Sequence, residues 1–446
     1  MGAKAMKKFI RSLIVATSIF LVASDVAAIE IKEVKSSAGV KAWLVEDHTN
    51  PIITVDFSFR GGAALDPVGK EGLANLVSAT LDEGAGDLKS QVFQKKLEDL
   101  AISLSFRFGL DSFSGSLLTL KKNQKTAFEL LSLALTKPRF DAEPVERIRS
   151  QIIAGIRQKS ENPQQIASQV LFAKLFPKHP YGRPSDGTED TINVIKIADL
   201  KVFIEQRLAR KNLVISIVGD ITETDLKMLL DKTFGALPAN ASLKAIAEVT
   251  PNAIKKTIVI QKVIPQSIIT FAQPGIKRDH PDFFPAYVMN YILGGGGFSS
   301  RLYEEVREKR GLAYSAYSYL APFDHAGLII GGAGTANART VQTVKVLRDE
   351  WAKMNKLGIK KQELDDAKTY LTGSYPLRFS SSGRIARILT SIQKENLGLD
   401  YIKKRNSLIK AVTLEAVNRV ATKLLNPNKI TMVIVGEPKG INSSPN

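Results

Sequence analysis

Positions 53–61 read Ile53-Thr54-Val55-Asp56-Phe57-Ser58-Phe59-Arg60-Gly61, a β-branched and aromatic run that stops at glycine. Positions 267–275 read Ser267-Ile268-Ile269-Thr270-Phe271-Ala272-Gln273-Pro274-Gly275, which has the same character, and the offset between the two glycines is 275 − 61 = 214. A second pair of runs, 213–219 and 430–436, ends with glycines at an offset of 436 − 219 = 217. Such runs are typical of strands. The nearly equal offsets indicate an internal duplication.

The segments between these strands also correspond in the two halves. A helical run from Leu73 to Leu81 precedes a Gly-Ala-Gly sequence, and one from Phe284 to Leu293 precedes the glycines at 294–297. We interpret those four glycines as a flexible turn between two helices. Strands with polar alternation beside such helices predict an α+β fold. We expect two homologous domains, each a mainly antiparallel sheet with helices packed on one face.

One helix is predicted in detail, from Asp141 to about Glu161. Asp141 is expected to cap its N-terminus and Pro163 to end it. Apolar residues recur along it at three- and four-residue steps and predict its buried stripe. These residues are Val145, Ile148, Ile152 and Ile156.

Composition excludes several kinds of site. The chain has 446 residues, of which 44% are hydrophobic and 24% charged, as in ordinary globular proteins. It has no cysteine, which excludes disulfides, thiolate metal sites and cysteine nucleophiles. Its four histidines, at 48, 179, 280 and 325, are widely separated in the sequence. A helical pair of histidine metal ligands is therefore excluded.

The N-terminal segment 1–28 has the pattern of an export signal. Basic residues are followed by the apolar stretch 13–23 and then by Val26-Ala27-Ala28, which suits signal peptidase. An uncleaved anchor is the alternative, although the apolar stretch is shorter than the roughly 20 residues of a membrane helix. We therefore expect a periplasmic protein. The predicted division is a signal peptide at 1–28, an N-terminal domain at 29–238, a linker at 239–251 and a C-terminal domain at 252–446.

The net charge of +18 favours acidic partners, membrane surfaces or anionic peptides. The basic residues are dispersed, and the densest cluster, 121–125, has no aromatic residues among its lysines. We interpret it as a solvated turn and expect no nucleic-acid partner.

Five motifs, in their order and spacing, resemble the pitrilysin-type (inverzincin) metallopeptidases, and most closely the branch that contains the processing peptidases. The similarity extends over essentially the whole chain after the signal. It implies that the two domains together form half of a clamshell. The motifs are Phe59-Arg60-Gly61-Gly62, Gly69-Lys70-Glu71-Gly72-Leu73-Ala74, His179-Pro180-Tyr181-Gly182, Gly294-Gly295-Gly296-Gly297-Phe298-Ser299-Ser300-Arg301-Leu302 and Arg307-Glu308-Lys309-Arg310-Gly311-Leu312-Ala313-Tyr314.

The resemblance fails at the zinc site. Active members carry His-x-x-Glu-His on the helix after 72–74, with a distant glutamate as a further ligand. The matching positions here are Asn75, Ser78 and Ala79, and the distant position falls at Gly155. Asparagine is a weak zinc ligand, alanine is none, and serine is a poor base at neutral pH. We expect this chain to bind no metal or other cofactor, and zinc to lie in a partner subunit.

Three acidic residues near this helix are alternative metal ligands. Carboxylates without imidazole suit magnesium or calcium better than zinc. We interpret Glu71, Asp82 and Glu83 as a solvated helix end, and hydrolysis with an unusual metal as the alternative.

The second half keeps a pair that the resemblance identifies as substrate-binding, an arginine and a tyrosine seven residues apart. Arg307 and Tyr314 match it. Arg307 is predicted near the end of a helix that Gly311 terminates, and Tyr314 on the next strand. Both side chains donate hydrogen bonds and so suit a peptide carbonyl or the oxyanion of a tetrahedral intermediate. The alternative is a surface arginine beside a half-buried core tyrosine.

Together these features predict a non-catalytic, substrate-binding subunit of a heterodimeric periplasmic zinc peptidase. Its partner would be a zinc-bearing homologous subunit, and its substrate a peptide or unfolded protein bound as an added strand. Two other functions remain open: a stand-alone peptide-binding or chaperone-like protein, and a structural subunit of a membrane-associated complex.

Overall fold

The computed structural model describes residues 29–444. The predicted signal peptide lies outside the described residues. The strands are β1 Lys32–Lys35, β2 Lys41–Glu46, β3 Ile52–Arg60, β4 Gly84–Ala85, β5 Leu88–Lys89, β6 Ser103–Phe108, β7 Ser112–Leu120, β8 Leu213–Gly219, β9 Lys256–Gln261, β10 Gln266–Pro274, β11 Ala313–Pro322, β12 Gly327–Ala336 and β13 Thr431–Gly436.

The α-helices are numbered in chain order. They are α1 Leu73–Thr80, α2 Ser90–Asp99, α3 Gln124–Thr136, α4 Ala142–Glu161, α5 Pro163–Leu175, α6 Glu189–Asn193, α7 Ile197–Arg207, α8 Glu223–Phe234, α9 Phe283–Asn290, α10 Arg301–Tyr303, α11 Thr340–Leu357, α12 Lys361–Gly373, α13 Ser382–Lys394, α14 Tyr401–Lys410 and α15 Leu414–Leu424. In the part of the chain described, no helix combines the length and the hydropathy needed to cross a membrane.

Two large sheets share one strand order. The first sheet runs β1-β2-β8-β3-β7-β6, and the second, taken from its far edge, runs β9-β13-β10-β12-β11. Neighbouring strands are antiparallel except for β2 with β8 and β13 with β9. The predicted α+β class, mainly antiparallel sheets and duplication are confirmed. The halves differ at one edge, because β1 borders β2 whereas Ser443 and Ser444 hydrogen-bond to β9.

Both faces of the central strand β3 are buried. Val55, Phe57 and Phe59 point into the core of the first half. The alternate residues Asp56 and Ser58 are also buried, although they are polar. A second layer must therefore cover the other face of this sheet, although helices were predicted on one face only.

Each half supplies the helix that covers the second face of the other half's sheet; we call these two helices, α5 and α13, the exchanged helices. Helix α5, from the first half, packs across β10 and β13 of the second sheet. Helix α13, from the second half, packs across β3 and β8 of the first. The offset between the starts of the two helices is 382 − 163 = 219, close to the offsets of the strands. The prediction of one covered face per sheet was wrong, because each sheet receives its second cover from a distant segment.

The two exchanged contacts differ in chemistry. Helix α5 buries Leu171 and Leu175 in an apolar cluster that includes Leu328 and Val433. Helix α13 combines apolar contacts with polar ones. There, the Thr390 hydroxyl donates to the carbonyl of Asp56 (3.1 Å), and the Gln393 amide donates to that of Ile215 (2.9 Å).

The limits predicted for α4 are confirmed, but the predicted cap needs correction. Asp141 stands at the cap position, but its carboxylate accepts from Arg139 Nε at 2.6 Å and makes no cap hydrogen bond. Pro163 follows the end of α4, and it is also the first residue of α5. The Asn162 side chain caps that new helix by accepting from the N–H groups of Gln164 and Gln165. Proline suits this position because its missing N–H would have no partner there.

The glycines at 294–297 connect α9 to α10, as predicted, and lie in or next to two short helical turns. Tyr291–Gly295 is a π-helical turn, and Gly297–Ser299 is a 3₁₀ turn. A Cβ at Gly294 would lie 2.5 Å from the main-chain nitrogen of Ser318, so this position requires glycine. Between α8 and β9, where the linker was predicted, the described chain has no helix or strand.

Candidate functional site

Helix α1 (Leu73–Thr80) carries three of the four positions predicted to have lost zinc ligands. Asp66 fixes its start, because Oδ2 accepts from the N–H groups of Gly72 (3.2 Å) and Ala74 (3.1 Å). Its Oδ1 lies 3.1 Å from Nη1 of the buried Arg207. Burial raises the pKa of Asp66 to about 6, although Arg207 and the two N–H donors act in the opposite direction.

The three positions on α1 serve local structure. The Asn75 amide donates to the carbonyl of Asp186 at 3.1 Å, and the Ser78 hydroxyl donates to the carbonyl of Asn75 at 2.8 Å. Ala79 packs against the core of the first half. This helix therefore presents no imidazole or carboxylate that could hold zinc.

The fourth position, Gly155, lies on α4, which packs against α1. A Cβ at Gly155 would meet no atom within 4 Å. The neighbouring atoms leave room for a larger side chain. Steric crowding therefore does not explain why glycine stands where the zinc-binding glutamate was expected.

Of the three acidic residues near this helix, Glu71 and Glu83 are already engaged by other groups. The Glu71 carboxylate accepts from the N–H of Gly69 (3.1 Å) and lies 3.5 Å from Arg183 Nη1. Glu83 pairs with Arg147. Burial raises the pKa of Asp82. In residues 29–444 no group of three or more His, Asp or Glu side chains could hold a metal ion. The described residues do not fit the zinc ion of active relatives.

A cavity of about 660 Å³ lies beside this region, between the end of α4, helix α5 and residues 181–190. Phe172 and Tyr181 contribute apolar surface. The ion pair of Lys159 with Asp186 (2.6 Å) lines it, and the carbonyl of Asp186 is the group that binds Asn75. The cavity therefore borders the degenerate site.

Arg307 contacts the main chain of Tyr314. Arg307 lies in a π-helical turn, Glu304–Glu308, and Tyr314 lies on β11. Arg307 Nη1 donates to the main-chain carbonyl of Tyr314 at 3.3 Å. Tyr314 is 77% exposed, so the alternative of a half-buried core tyrosine is wrong.

Known proteins match the sequence and fold of most of this chain. The crystal structure titled peptidase M16 inactive domain, from Pseudomonas fluorescens, is 32% identical, has a TM-score of 0.86 and is matched over 93% of this chain and 99% of its own. Residues 41–189 match the family model described as insulinase (peptidase family M16), and residues 195–371 match that described as peptidase M16 inactive domain. The chain belongs to peptidase family M16.

Two further comparisons are with proteins from Helicobacter pylori. A relative named "Non-peptidase homolog YmxG" is 29% identical over 97% of this chain and 99% of its own length. A crystal structure described as a protease has a TM-score of 0.82 at 20% identity, covers 92% of this chain and 100% of its own, and supports the fold alone. Within M16, this chain is a homologue without the zinc-binding side chains of active members.

Two aromatic residues near the pair in this M16 chain, Tyr303 and Phe298, were not predicted from the sequence. The Arg307 guanidinium carbon lies 5.0 Å from the centre of the Tyr303 ring. The Phe298 ring meets the Tyr303 ring edge-on, with 4.9 Å between ring centres. Residues four apart on a helical segment are neighbours, so the spacing of Tyr303 and Arg307 was a signal that could have indicated the contact.

Proposed function

We propose that this chain is the non-catalytic, substrate-binding subunit of a heterodimeric zinc peptidase in the periplasm. It supplies Arg307 and Tyr314 to the active site of a zinc-bearing homologous subunit, which holds the zinc. The observation that carries the proposal is the combination of an M16 helix α1 without zinc-binding side chains and an exposed Arg307–Tyr314 pair. The name of the H. pylori relative, a non-peptidase homolog, agrees with the first half of that combination.

The free donors of the pair suit a peptide carbonyl. Arg307 uses Nη1 for the Tyr314 carbonyl, and its side chain is 40% exposed. Within the described residues, its Nη2 and the Tyr314 hydroxyl have no hydrogen-bond partner. Two donors of this kind can stabilise negative charge that develops on a carbonyl oxygen. Zinc and the attacking water belong to the other subunit, so no step of bond cleavage is assigned to this chain.

Peptides and unfolded segments are the proposed substrates. An extended segment can add to a sheet edge through main-chain hydrogen bonds. Strand β11, which carries Tyr314, is the edge of the second sheet, and β6 is the corresponding edge of the first. The predicted signal at 1–28 supports the periplasmic location.

Co-expression with a zinc-bearing homologue from the same genome tests the proposal. We expect a complex that cleaves an unfolded reporter peptide, whereas neither chain does so alone. Arg307→Ala should lower kcat by about 10²-fold, the usual loss for one oxyanion donor, and Tyr314→Phe should lower it less. Matched controls are Arg387→Ala and Tyr370→Phe, which alter exposed residues outside the pair and should leave kcat unchanged.

The outcomes separate the other functions. Peptide binding by the isolated chain, with no homologous partner in a periplasmic pull-down, would favour a peptide-binding or chaperone-like protein. Capture of an unrelated membrane assembly would favour a structural subunit. Unchanged cleavage in the Arg307→Ala complex would rule out the shared active site.

A further inference from the structure

We propose that Tyr303 is the positioning residue of Arg307: its ring holds the guanidinium in the orientation that presents a free donor to substrate. The inference deepens the proposed function and rests on it for the identity of the substrate. The geometry of the contact itself does not depend on any partner.

The ring and the guanidinium meet at a distance suited to a cation–π interaction. Arg307 Cζ lies 5.0 Å from the centre of the Tyr303 ring, within the roughly 6 Å over which such contacts act. Tyr303 is buried, so the ring is fixed by its surroundings. Within residues 29–444, its hydroxyl makes no hydrogen bond, so the ring is the part of the side chain that Arg307 uses.

Two further contacts restrict the guanidinium. Its Nη1 donates to the carbonyl of Tyr314 at 3.3 Å, and its Nε lies 4.0 Å from Glu308 Oε1. The ring therefore bounds one face of the group, while the carbonyl fixes one edge. Nη2 remains available for a ligand acceptor. A long arginine side chain otherwise samples many rotamers, and its confinement before binding reduces the entropy lost on binding.

The backbone around Tyr303 supports a functional role. The described residues contain two π-helical turns, Tyr291–Gly295 and Glu304–Glu308, and both pack against β11. Such turns are rare and occur frequently at functional sites. The second turn starts directly after Tyr303 and contains Arg307.

Phe298 is an aromatic neighbour of the Tyr303 ring. It lies in the 3₁₀ turn after the glycines, is 78% exposed, and meets Tyr303 edge-on. An exposed phenylalanine contributes little to the core, so a role in contacting Tyr303 is a reason for an aromatic residue here. Phe298 thus contacts Tyr303, Tyr303 contacts Arg307, and Arg307 donates to the Tyr314 carbonyl.

The first test uses the isolated chain and needs no partner. With ¹⁵N-labelled arginine, the Nε–Hε resonance of Arg307 is assigned by its loss in Arg307→Lys. A guanidinium over an aromatic face is shifted upfield by the ring current. The shift should persist in Tyr303→Phe, which keeps the ring, and move towards that of a free arginine in Tyr303→Met, which replaces the ring by a flexible side chain. An unchanged resonance in Tyr303→Met would overturn the proposal.

Because Tyr303 is buried, misfolding must be separated from loss of the contact. Thermal unfolding checks that each variant is folded. A further variant, Phe298→Ala, changes only an exposed ring. We expect Phe298→Ala to shift the Arg307 resonance partway, without lowering the melting temperature. No shift in a folded Phe298→Ala chain would remove Phe298 from the arrangement, and no shift in a folded Tyr303→Met chain would refute the positioning role.

The second test uses the complex with a zinc-bearing subunit. Tyr303→Met should lower kcat/KM by between about twofold and thirtyfold, the range expected for loss of one cation–π contact, and Tyr303→Phe should restore it. Equal losses in both variants would contradict a role of the ring. If no complex forms while the resonance still moves in Tyr303→Met, the proposed function fails and the positioning of Arg307 by Tyr303 stands.

Discussion

Arg307 contacts Tyr314 through the main chain: its Nη1 donates to the tyrosine carbonyl at 3.3 Å, and Tyr314 as a whole is 77% exposed. This hydrogen bond connects the π-helical turn to the edge strand β11 and restricts the position of the guanidinium. It also depends on the backbone of residue 314 rather than on its side chain. Replacement of the tyrosine ring should therefore leave the position of Arg307 unchanged.

The exchanged helices should make the two halves one folding unit. Leu171 of α5 and Leu389 of α13 are both fully buried on the sheet of the other half. Each Leu→Ala change should lower the free energy of unfolding by about 2–5 kcal/mol, because it leaves a cavity. Urea denaturation followed by circular dichroism should show one transition for both. Leu357→Ala, at an exposed position, is the control and should have little effect.

Expression of each half alone is a stricter test of whether the two halves form one folding unit. Residues 29–250 would contain α5 without its sheet, and residues 252–446 would contain α13 without its sheet. Each exposes a large apolar surface, so we expect aggregation or a partly folded state. Mixing the two fragments during refolding should restore native circular dichroism. Two independently stable halves would contradict the prediction.

Gly155→Ala should stabilise the chain. The residue lies inside α4, and an added Cβ meets no atom within 4 Å. Alanine is favoured over glycine in a helix by about 0.5–1 kcal/mol. A matched control is Gly72→Ala, where φ is +90° and the Cβ would lie 2.5 Å from Ile192. Thermal unfolding should show a rise for the first variant and a fall for the second.

Loss of Asp66 should be strongly destabilising. The variant Asp66→Asn leaves the buried Arg207 without its charge partner, and such a loss costs about 3–5 kcal/mol. Chemical denaturation at neutral pH measures it. Asp349→Asn, which breaks an exposed pair with Lys345, is the control and should change stability little. Equal stability of the two variants would mean that the Asp66–Arg207 pair does not support the start of α1.

Acid should destabilise the chain through His179. Its Nδ1 accepts from the Tyr181 N–H (3.2 Å), and its Nε2 lies 3.0 Å from the Ala247 carbonyl, so the neutral ring is fully bonded. Burial lowers the pKa of His179 below its ordinary 6.5. The unfolded chain therefore binds the proton more readily, and stability is lost as pH falls from 6.5 towards the folded pKa.

The variant His179→Asn isolates this effect, because its amide oxygen can still accept from Tyr181 but does not titrate. The melting temperature of the native chain should fall more steeply than that of the variant as pH is lowered from neutral. Parallel pH profiles for the two proteins would assign the acid sensitivity to other groups.

Zinc should not stabilise the isolated chain. An ion that binds the native state raises its stability in proportion to the logarithm of its concentration. Since Asn75, Ser78, Ala79 and Gly155 provide no ligand set, the melting temperature should be the same with excess zinc and with a chelator. A rise with zinc, together with one bound equivalent by elemental analysis, would reveal a metal site elsewhere.

Local patterns were enough to predict the strands at β3 and β10 and the limits of α4, because alternation and helical spacing are properties of short segments. They failed where side chains had a better partner. Asp141 was expected to cap α4, but Arg139 binds its carboxylate. A simple turn was expected at 294–297, but Gly294 lies in a π-helical turn and packs closely against Ser318.

Side-chain identity by itself determined the loss of the zinc site, since no fold can make a ligand of Ala79 or Gly155. It also determined the duplication, which nearly equal offsets reveal without coordinates. Only the tertiary structure decided that α5 and α13 each pack on the sheet of the other half. It alone also decided that Arg307 contacts both the Tyr303 ring and the Tyr314 carbonyl. The exchanged contacts join segments that are far apart in the sequence, and the orientation at Arg307 depends on two π-helical turns. Both depend on complementary surfaces in three dimensions, which short-range periodicity does not encode.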